Sequence, residues 1–414
     1  MEQHGISKLD LKRRNRMQVL KILKQRGPTS RIDIASTLEL TRAAVTIITN
    51  EMIEQGIIQE IGEYKHPADK IPRGRKKILI DINNHYKFVI GVTVEEDIVS
   101  VGLSTIAGAV LDKRNLQIDT KTPSEDITDF IELSIREVLN DNCLGPESIL
   151  GIGVGIFPTM FDRLHIDIIN NEPNYSKFKS ILRKYTNLPI VFDNSVKGTA
   201  MANIDFLKTK DPNRHNIAFL QYGNTMHFVV TNLNDPIVSY DNRTNFVDKM
   251  IINPYSERVC KCGRRGCVES EITPTATLNK IAEKFSADAT PYLYDVSKGN
   301  LNAINRNMIY DAYDKGDPAV VEILDTEIRL TAVLINNLYF STNPQKIVLH
   351  GFYFTKNGFS KLKDAVTEIG GTLVSSKIEI SIIEDKHRFL SGCALAIREL
   401  FYNRGGFDNT AVAE

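Results

Sequence analysis

The sequence predicts an α/β protein in two parts: a small N-terminal domain of three helices and a β-hairpin, then a larger two-lobed α/β body. Two observations lead to this prediction. Residues 27–58 contain two short amphipathic helices separated by a tight turn. Glycine-rich apolar strands recur in two later halves of the chain, as in a duplicated pair of nucleotide-binding lobes. With 414 residues and 42% hydrophobic content, the chain can form two or three domains with their own cores.

The first helix is predicted over residues 10–26 and ends at Gly27-Pro28, because proline cannot continue a helix. Ser30 is the predicted N-cap of the second helix, and Thr41 is the predicted N-cap of the third. The third helix should close at Gln55-Gly56. Its buried side is predicted by apolar residues at helical spacing: Val45, Ile48, Met52 and Ile53.

The opposite side of the third helix carries small or hydrogen-bonding residues, led by one arginine: Arg42, Ala43, Thr46, Thr49 and Asn50. A helix that enters the DNA major groove needs such a face, because bulky side chains would hold it away from the bases. The alternative is an ordinary helical hairpin with a polar, solvated face. The DNA-binding hypothesis assigns seven residues of the two helices to the interface: Ser30, Arg31, Thr41, Arg42, Ala43, Thr46 and Thr49.

Two strands follow, near residues 57–62 and 73–82, with a polar loop between them. Arg73, Arg75 and Lys76 lie at the basic tip of this hairpin, where they could contact the DNA backbone or the minor groove. Three helices followed by a basic hairpin predict a winged helix-turn-helix DNA-binding domain over residues 1–82. Its expected partner is double-stranded DNA.

Charge is unevenly distributed along the chain, although the formal net charge is zero. Residues 1–80 hold 16 basic and 9 acidic residues, giving +7, and the remainder holds 35 basic and 42 acidic residues, giving −7. A basic head on an acidic body favours a polyanionic partner for the head alone. The sequence offers no membrane-spanning run and no apolar signal core, which predicts a cytoplasmic protein with no membrane partner.

The body is predicted to contain strands at residues 88–95, 98–104, 149–156 and 188–193, with the series restarting at 216–223 and ending at 346–351. A helix of small residues should begin after Asn194. These elements predict a first lobe over residues 85–195 and a second lobe over residues 196–390. A C-terminal helix, near residues 391–404, is expected to pack back on the first lobe.

Three cysteines stand at C-x-C-x4-C spacing in a glycine-containing turn: Cys260, Cys262 and Cys267. Thiolates at such spacing can converge on one tetrahedral ion, so zinc is the expected cofactor. The alternative is a loop of three reduced thiols, which would be reactive if exposed.

The stretch CKCGRRGCVE resembles the C-x-CG-x-x-GC-x-E signature of the ROK family of repressors, open reading frames and kinases. Four further stretches resemble successive motifs of that family, in order: GIGVGIFP, EPNYSKF, LPIVFDNSVKGTAMA and NPQKIVLHG. The resemblance covers nearly the whole chain, including the N-terminal winged helix. It implies a two-lobed actin/sugar-kinase-like ATPase fold, a sugar or sugar phosphate in the cleft between the lobes, and assembly as a homodimer or tetramer.

The three elements that bind ATP in ROK kinases are altered in this sequence. Residues 91–97 (GVTVEED) lack the glycine pair of the first phosphate loop, and residues 223–229 (GNTMHFV) retain one glycine of the second. The third element, a glycine turn, reads HGF at residues 350–352. We therefore expect no ATP binding and no catalytic residues. Asp193, which aligns with the family's catalytic base, is interpreted as a ligand-binding carboxylate.

The family's sugar-binding glutamate and zinc-binding histidine align with Phe246 and Lys249, so the fourth zinc ligand is open: water, Asp248 or a carbonyl group. The remaining candidates for effector binding are Asn174, Asp193, Asn194 and Glu269. The alternative for each is a capped turn or a surface salt bridge.

Taken together, these features predict a transcriptional regulator, most simply a repressor of a carbohydrate-related operon. It would bind a palindromic operator and respond to a sugar effector. Two alternatives stay open: a ROK sugar kinase with an accessory DNA-binding head, and a scaffold with a vestigial small-molecule site.

Overall fold

A computed structural model of the chain describes residues 8–63, 77–169, 172–184, 186–207, 216–223, 225–232, 246–351 and 356–407. The chain forms two compact units. The first comprises Met1–Asn213, Asp235–Ile237 and Ile382–Glu414, and the second comprises Arg214–Asn234 and Val238–Ser381. The helix that follows Asn194 belongs to the first unit, so the division lies later than the predicted lobe boundary at residue 195.

The N-terminal domain has the element order expected of a winged helix-turn-helix. Its elements are α1 (Lys8–Arg26), β1 (Thr29–Ser30), α2 (Arg31–Leu38), α3 (Arg42–Glu54), β2 (Ile58–Glu63) and β3 (Ile78–Ile82). The strands form an antiparallel sheet in the order β1-β3-β2. Both predicted N-caps are present, since the hydroxyl of Ser30 accepts from the Asp33 amide and the hydroxyl of Thr41 accepts from the Ala44 amide.

A five-stranded sheet is the centre of the rest of the first unit. Its elements are β4 (Phe88–Val94), β5 (Ile98–Thr105), β6 (Val110–Gln117), α4 (Ser124–Asp141), β7 (Ile149–Ile156), β8 (Asp167–Ile169), β9 (Glu172–Asn174), α5 (Ser176–Leu182), β10 (Ile190–Asn194) and α6 (Ser195–Asp205). The strand order is β10-β7-β4-β5-β6, and β8 pairs separately with β9. Strands β10, β7 and β4 run parallel, which brings their carboxyl ends to one edge.

The second unit contains a four-stranded sheet covered by helices. Its elements are β11 (Asn216–Gln221), β12 (His227–Asn232), α7 (Val268–Glu271), α8 (Pro274–Lys284), α9 (Pro291–Val296), α10 (Arg306–Lys315), α11 (Pro318–Thr342), β13 (Lys346–His350), α12 (Lys356–Ser375) and β14 (Ile378–Ile380). The strand order is β12-β11-β13-β14.

The C-terminal segment returns to the first unit as α13 (Leu390–Ala396), continued by a π-helical turn, Ile397–Tyr402. It packs against β4 and β7 because glycines allow close backbone approach. A Cβ atom added to Gly153 would lie 1.9 Å from the carbonyl oxygen of Gly392. Residues of this segment, such as Phe401, join one hydrophobic core with N-terminal residues such as Leu20 and Ile57. The N-terminal domain therefore packs on the first lobe through the C-terminal segment.

Among the described residues, no helix combines the length and the apolar character needed to cross a bilayer.

Candidate functional site

The solvent-exposed side of α3 consists of six residues, with one arginine in the first turn and one glutamate at the last position: Arg42, Ala43, Thr46, Ile47, Asn50 and Glu54. The hydroxyl of Thr46 donates to the Arg42 carbonyl oxygen at 2.8 Å, so its hydrogen is satisfied within the helix. The buried side contains Val45 and Met52, as the helical periodicity predicts. The N-terminal domain therefore presents a nearly neutral helix face to solvent.

Two residues assigned to the DNA interface from sequence are buried, and that assignment is corrected for both. Thr49 is 0% exposed because it lies one turn after Val45, on the side of α3 that faces the core. Ser30 is 2% exposed, and its hydroxyl donates to the Asp33 carboxylate at 2.6 Å. Side chains that are buried and hydrogen-bonded in this way are not available to contact bases.

Arg31 fastens α2 to its neighbours. Its guanidinium donates to the Thr49 hydroxyl at 3.0 Å and to the Asn50 side-chain oxygen at 3.2 Å, and it pairs with Glu60 at 2.9 Å. Thr41 and Arg42 remain exposed at the start of α3. The predicted wing residues Arg73, Arg75 and Lys76 lie outside the described residues, as do Asn224 and Phe352 of the altered nucleotide elements.

At the turn between β4 and β5, two carboxylates of the turn meet an arginine and a carboxylate from the segment before α13. We call these four residues the turn network: Glu95, Asp97, Asp385 and Arg388. The guanidinium of Arg388 lies 2.8 Å from Glu95 and 2.7 Å from Asp97. Burial raises the pKa of Glu95, although Arg388 opposes the shift. The turn that resembles the family's first phosphate loop is thus lined with carboxylates, whose charge disfavours phosphate.

The predicted effector residues of the first unit lie at or near the carboxyl end of β10. Asp193 pairs with Lys197, and its carboxylate also accepts from the Asn194 amide at 2.7 Å. Asn194 is the N-cap of α6, since its side chain accepts from the Val196 amide at 2.8 Å. Asn174 accepts from the Ser176 amide at 3.1 Å. All three side chains stabilise turns or ion pairs in this structure, and Asp193 is the carboxylate among them.

At its other end, α6 reaches a second network, which we call the junction network: Lys24, Asp205 and Arg398. The Asp205 carboxylate lies 2.7 Å from the Lys24 ammonium and 2.7 Å from the Arg398 guanidinium, and its side chain is 2% exposed. Burial alone would raise the pKa of Asp205, but Arg398 and Lys24 lower it below its ordinary value. One ionised carboxylate therefore joins the N-terminal domain, α6 and the C-terminal segment.

Two arginines of α1 also bind the backbone of the C-terminal segment. Arg13 donates to the Asn403 carbonyl oxygen at 2.8 Å, and Arg16 donates to the Gly405 carbonyl oxygen at 2.8 Å. Arg16 is fully buried and its guanidinium lies 3.9 Å from the Phe407 ring centroid. The basic side chains of α1 are thus partly buried against the rest of the first unit.

The three cysteines of the second unit converge, with their sulfur atoms all within 4.8 Å of one another. The sulfur atoms of Cys262 and Cys267 lie 3.6 Å apart. Burial raises the pKa of Cys260 to about 12, and a hydrogen bond from Arg264 lowers that of Cys262 to about 6. This geometry fits three thiolate ligands around one metal ion.

The residues around the cysteine cluster indicate which carboxylate could be a fourth metal ligand. The Glu269 carboxylate lies 3.1 Å from the Cys260 sulfur and pairs with Lys249, the residue aligned with the family's histidine. Asp248, a candidate from sequence, accepts from the Met226 amide at 2.7 Å and is thereby engaged elsewhere. Glu269 is therefore the carboxylate in contact with the cluster.

A cavity of about 760 Å³ lies in the first unit near the start of β7 and β10. Its lining includes Ile149, Leu150 and Leu188, whereas Asp193 and Asn194 lie at the opposite end of β10. None of the predicted effector residues lines this cavity.

The two-lobed α/β body and its cysteine turn define the class of protein. A family model described as the ROK family matches residues 90–383, which is more than half of the chain. The chain therefore belongs to the ROK family, as its motifs predicted.

The chain is similar to named repressors along nearly its whole length. A xylose repressor of Caldicellulosiruptor bescii is 24% identical over 405 residues, covering 94% of this chain and 97% of the relative. The DNA-binding transcriptional dual regulator NagC of Escherichia coli is 24% identical over 357 residues, covering 84% and 83% respectively.

Solved structures confirm the fold. A ROK family transcriptional regulator, described as a homologue of the E. coli MLC protein, matches 95% of this chain and 97% of its own, with a TM-score of 0.69 and 19% identity. A ROK family glucokinase from Streptomyces griseus matches 74% of this chain and 98% of its own, with a TM-score of 0.56 and 16% identity. The glucokinase leaves about a quarter of this chain unmatched, while the regulator matches almost all of it.

Proposed function

We propose that this protein is a sugar-responsive transcriptional repressor that binds DNA through its N-terminal domain. The observation that supports this most directly is the exposed face of α3 over residues 42–50, which is free of carboxylates and begins with Arg42. Such a face suits the major groove, where small side chains allow close approach and an arginine can bind a guanine or a phosphate. Similarity to proteins named xylose and N-acetylglucosamine repressors supports the same function.

The DNA contacts we propose are made by Thr41, Arg42, Ala43 and Thr46 of the helical region, with Arg73, Arg75 and Lys76 in the wing. A symmetric homodimer would present two α3 helices to successive major grooves, about 34 Å apart, so the operator would be palindromic. Assembly to a tetramer is compatible with the same arrangement of half-sites.

The effector we propose is a sugar or sugar phosphate, with Asn174, Asp193 and Asn194 of the first unit as binding residues. Asp193 and Asn194 directly precede α6, and α6 ends at Asp205 of the junction network. An eleven-residue helix is about 16 Å long. Sugar binding at one end of α6 would therefore change the position of Asp205, and through Lys24 the position of the N-terminal domain.

Kinase activity is absent in this proposal. The carboxylates of the turn network support that view, because Glu95 and Asp97 would repel ATP phosphates. Titration calorimetry with ATP and magnesium separates this proposal from a sugar kinase with an accessory DNA-binding domain. A kinase must bind the nucleotide, and heat of ATP binding would favour the enzyme.

Zinc is the metal that we propose for the cysteine cluster, held by the thiolates of Cys260, Cys262 and Cys267. The convergence of the three sulfurs supports it. A zinc ion would crosslink the turn before α7 and would lower the pKa values of the thiols that bind it.

The experiment that tests the proposed function is a gel shift of the purified protein on its own upstream DNA, with and without a panel of sugars and sugar phosphates. We expect a specific complex that one sugar releases. Arg42→Ala should weaken this complex by about 1–3 kcal/mol if Arg42 binds a guanine. Absence of any specific complex at moderate salt would refute the repressor function.

A further inference from the structure

Ile47 lies at the centre of the exposed face of α3 and is 63% exposed, more than any other isoleucine or leucine among the described residues. The apolar residues on either side of it in sequence behave differently. Val45 is fully buried and Ile48 is 9% exposed, because both face the core of the N-terminal domain. Ile47 therefore contributes little to the fold, since the benefit of an apolar side chain comes from its removal from water.

The neighbours of Ile47 on this face are also methyl-bearing. Ala43 and Thr46 occupy the preceding turn, and the Thr46 hydroxyl hydrogen is already donated to the Arg42 carbonyl oxygen. Asn50 follows one turn later, and its side-chain oxygen accepts from Arg31 at 3.2 Å. The centre of the face thus offers apolar contact, with hydrogen-bonding groups at its two ends.

In the major groove, one DNA base offers an apolar group that suits the apolar centre of this face. Thymine is the DNA base that presents a methyl group, C5-methyl, in the major groove, and apolar side chains recognise it by contact. A phosphate or a guanine would instead require a donor at the position of Ile47.

We propose that Ile47 contacts the C5-methyl group of a thymine in each half-site and so makes the protein discriminate T·A from the other base pairs there. The proposal rests on the DNA-binding function proposed above. Ile47 is then a specificity residue, and Arg42 supplies the polar or charged contact at the start of the same helix.

The test begins with selection of high-affinity sites from a random DNA library by the purified full-length protein at fixed salt. Each thymine of the selected site is then replaced singly by deoxyuridine, which removes only the methyl group. Affinities are measured by fluorescence anisotropy for the wild type, for Ile47→Ala and for the control Ile32→Ala. Ile32 is also an exposed isoleucine of the N-terminal domain, 42% exposed, but it lies on α2.

For the wild type, we expect one thymine position in each half-site at which replacement by deoxyuridine weakens binding about four-fold. The reason is that this replacement removes one methyl group from the buried contact. Ile47→Ala should bind the thymine site more weakly and lose this sensitivity to uracil at that position, whereas Ile32→Ala should keep it. Ile47 is exposed, so its removal should leave the melting temperature nearly unchanged.

Two results would overturn the inference while leaving the DNA-binding function intact: no uracil weakens binding, or Ile47→Ala is as sensitive to uracil as the wild type. If selection enriches no sequence at all, the proposed DNA-binding function fails, and the inference with it.

Discussion

Two arginines of the C-terminal segment, Arg388 and Arg398, bind carboxylates in different regions of the first unit. Arg388 holds Glu95 and Asp97 at the β4–β5 turn, and Arg398 holds Asp205 beside the N-terminal domain. Both arginines are nearly buried, with 9% and 8% of their side chains exposed. The carboxylates differ, because the pKa of Glu95 is raised and that of Asp205 is lowered.

The difference follows from the number of cations around each buried carboxylate. Asp205 has both Arg398 and Lys24 as partners, so its pKa is lowered even though its side chain is 2% exposed. Glu95 shares one arginine with two further carboxylates, so burial dominates its pKa. One network therefore fastens the N-terminal domain by charge, and the other places buried and half-exposed carboxylates at the turn that resembles a phosphate loop. Four predictions test this contrast.

Asp205→Ala should have the largest effect, because it leaves Arg398 buried without its carboxylate and removes the ion pair with Lys24. We expect the free energy of unfolding to fall by about 3–5 kcal/mol, measured by urea unfolding with circular dichroism. The matched control is Asp167→Ala, which breaks a pair with Lys177 whose carboxylate side chain is 62% exposed. That change should cost about 0–1 kcal/mol, and equal losses for the two variants would contradict the contrast.

Arg388→Met should have a smaller effect, about 1–3 kcal/mol, because Glu95 can take up a proton and the other two carboxylates are half exposed. The same urea experiment measures it. We also expect no heat of ATP–magnesium binding in either wild type or variant, since Glu95 and Asp97 remain. A loss as large as that of Asp205→Ala would show that the two networks are equivalent.

The pH dependence of two neutral variants should have opposite signs. Asp205 stabilises the fold at neutral pH, and this contribution is lost as pH falls through its lowered folded-state pKa. Glu95 holds its proton more tightly in the folded state, so stability falls as pH rises through the carboxyl range towards its raised pKa. Between acid and neutral pH, the loss of unfolding free energy relative to wild type should therefore grow for Asp205→Asn and shrink for Glu95→Gln. Unfolding curves from below the ordinary aspartate pKa of about 3.9 up to neutral pH measure both, and slopes of one sign would refute the assignment.

Lys24→Met should have the smallest effect on stability, about 0–1 kcal/mol, because Lys24 is 23% exposed and Asp205 keeps Arg398. The variant keeps an alkyl chain beside the Tyr402 ring. Its effect on regulation should be larger than its effect on stability, since it removes the ion pair between α6 and the N-terminal domain. The gel shift should therefore show DNA binding that responds less to the sugar. An unchanged sugar response would exclude Lys24 from the coupling.

The sequence alone determined those features that depend on residues close together in the chain. Ser30 and Thr41 were identifiable as helix caps because a cap bonds an amide three residues away. The cysteine cluster was identifiable because its three thiols lie within eight residues in a turn that brings them together. The family motifs, each a contiguous stretch, likewise predicted the fold.

Tertiary structure decided which side chains are available and which charges meet. The polarity of Thr49 suggested solvent, but the direction of its side chain on α3 buries it, and the same geometry exposes Ile47. Arg388 is 293 residues from Glu95, and Arg398 is 193 residues from Asp205. No local pattern relates residues so far apart, because their proximity results from the packing of α13 on the first lobe.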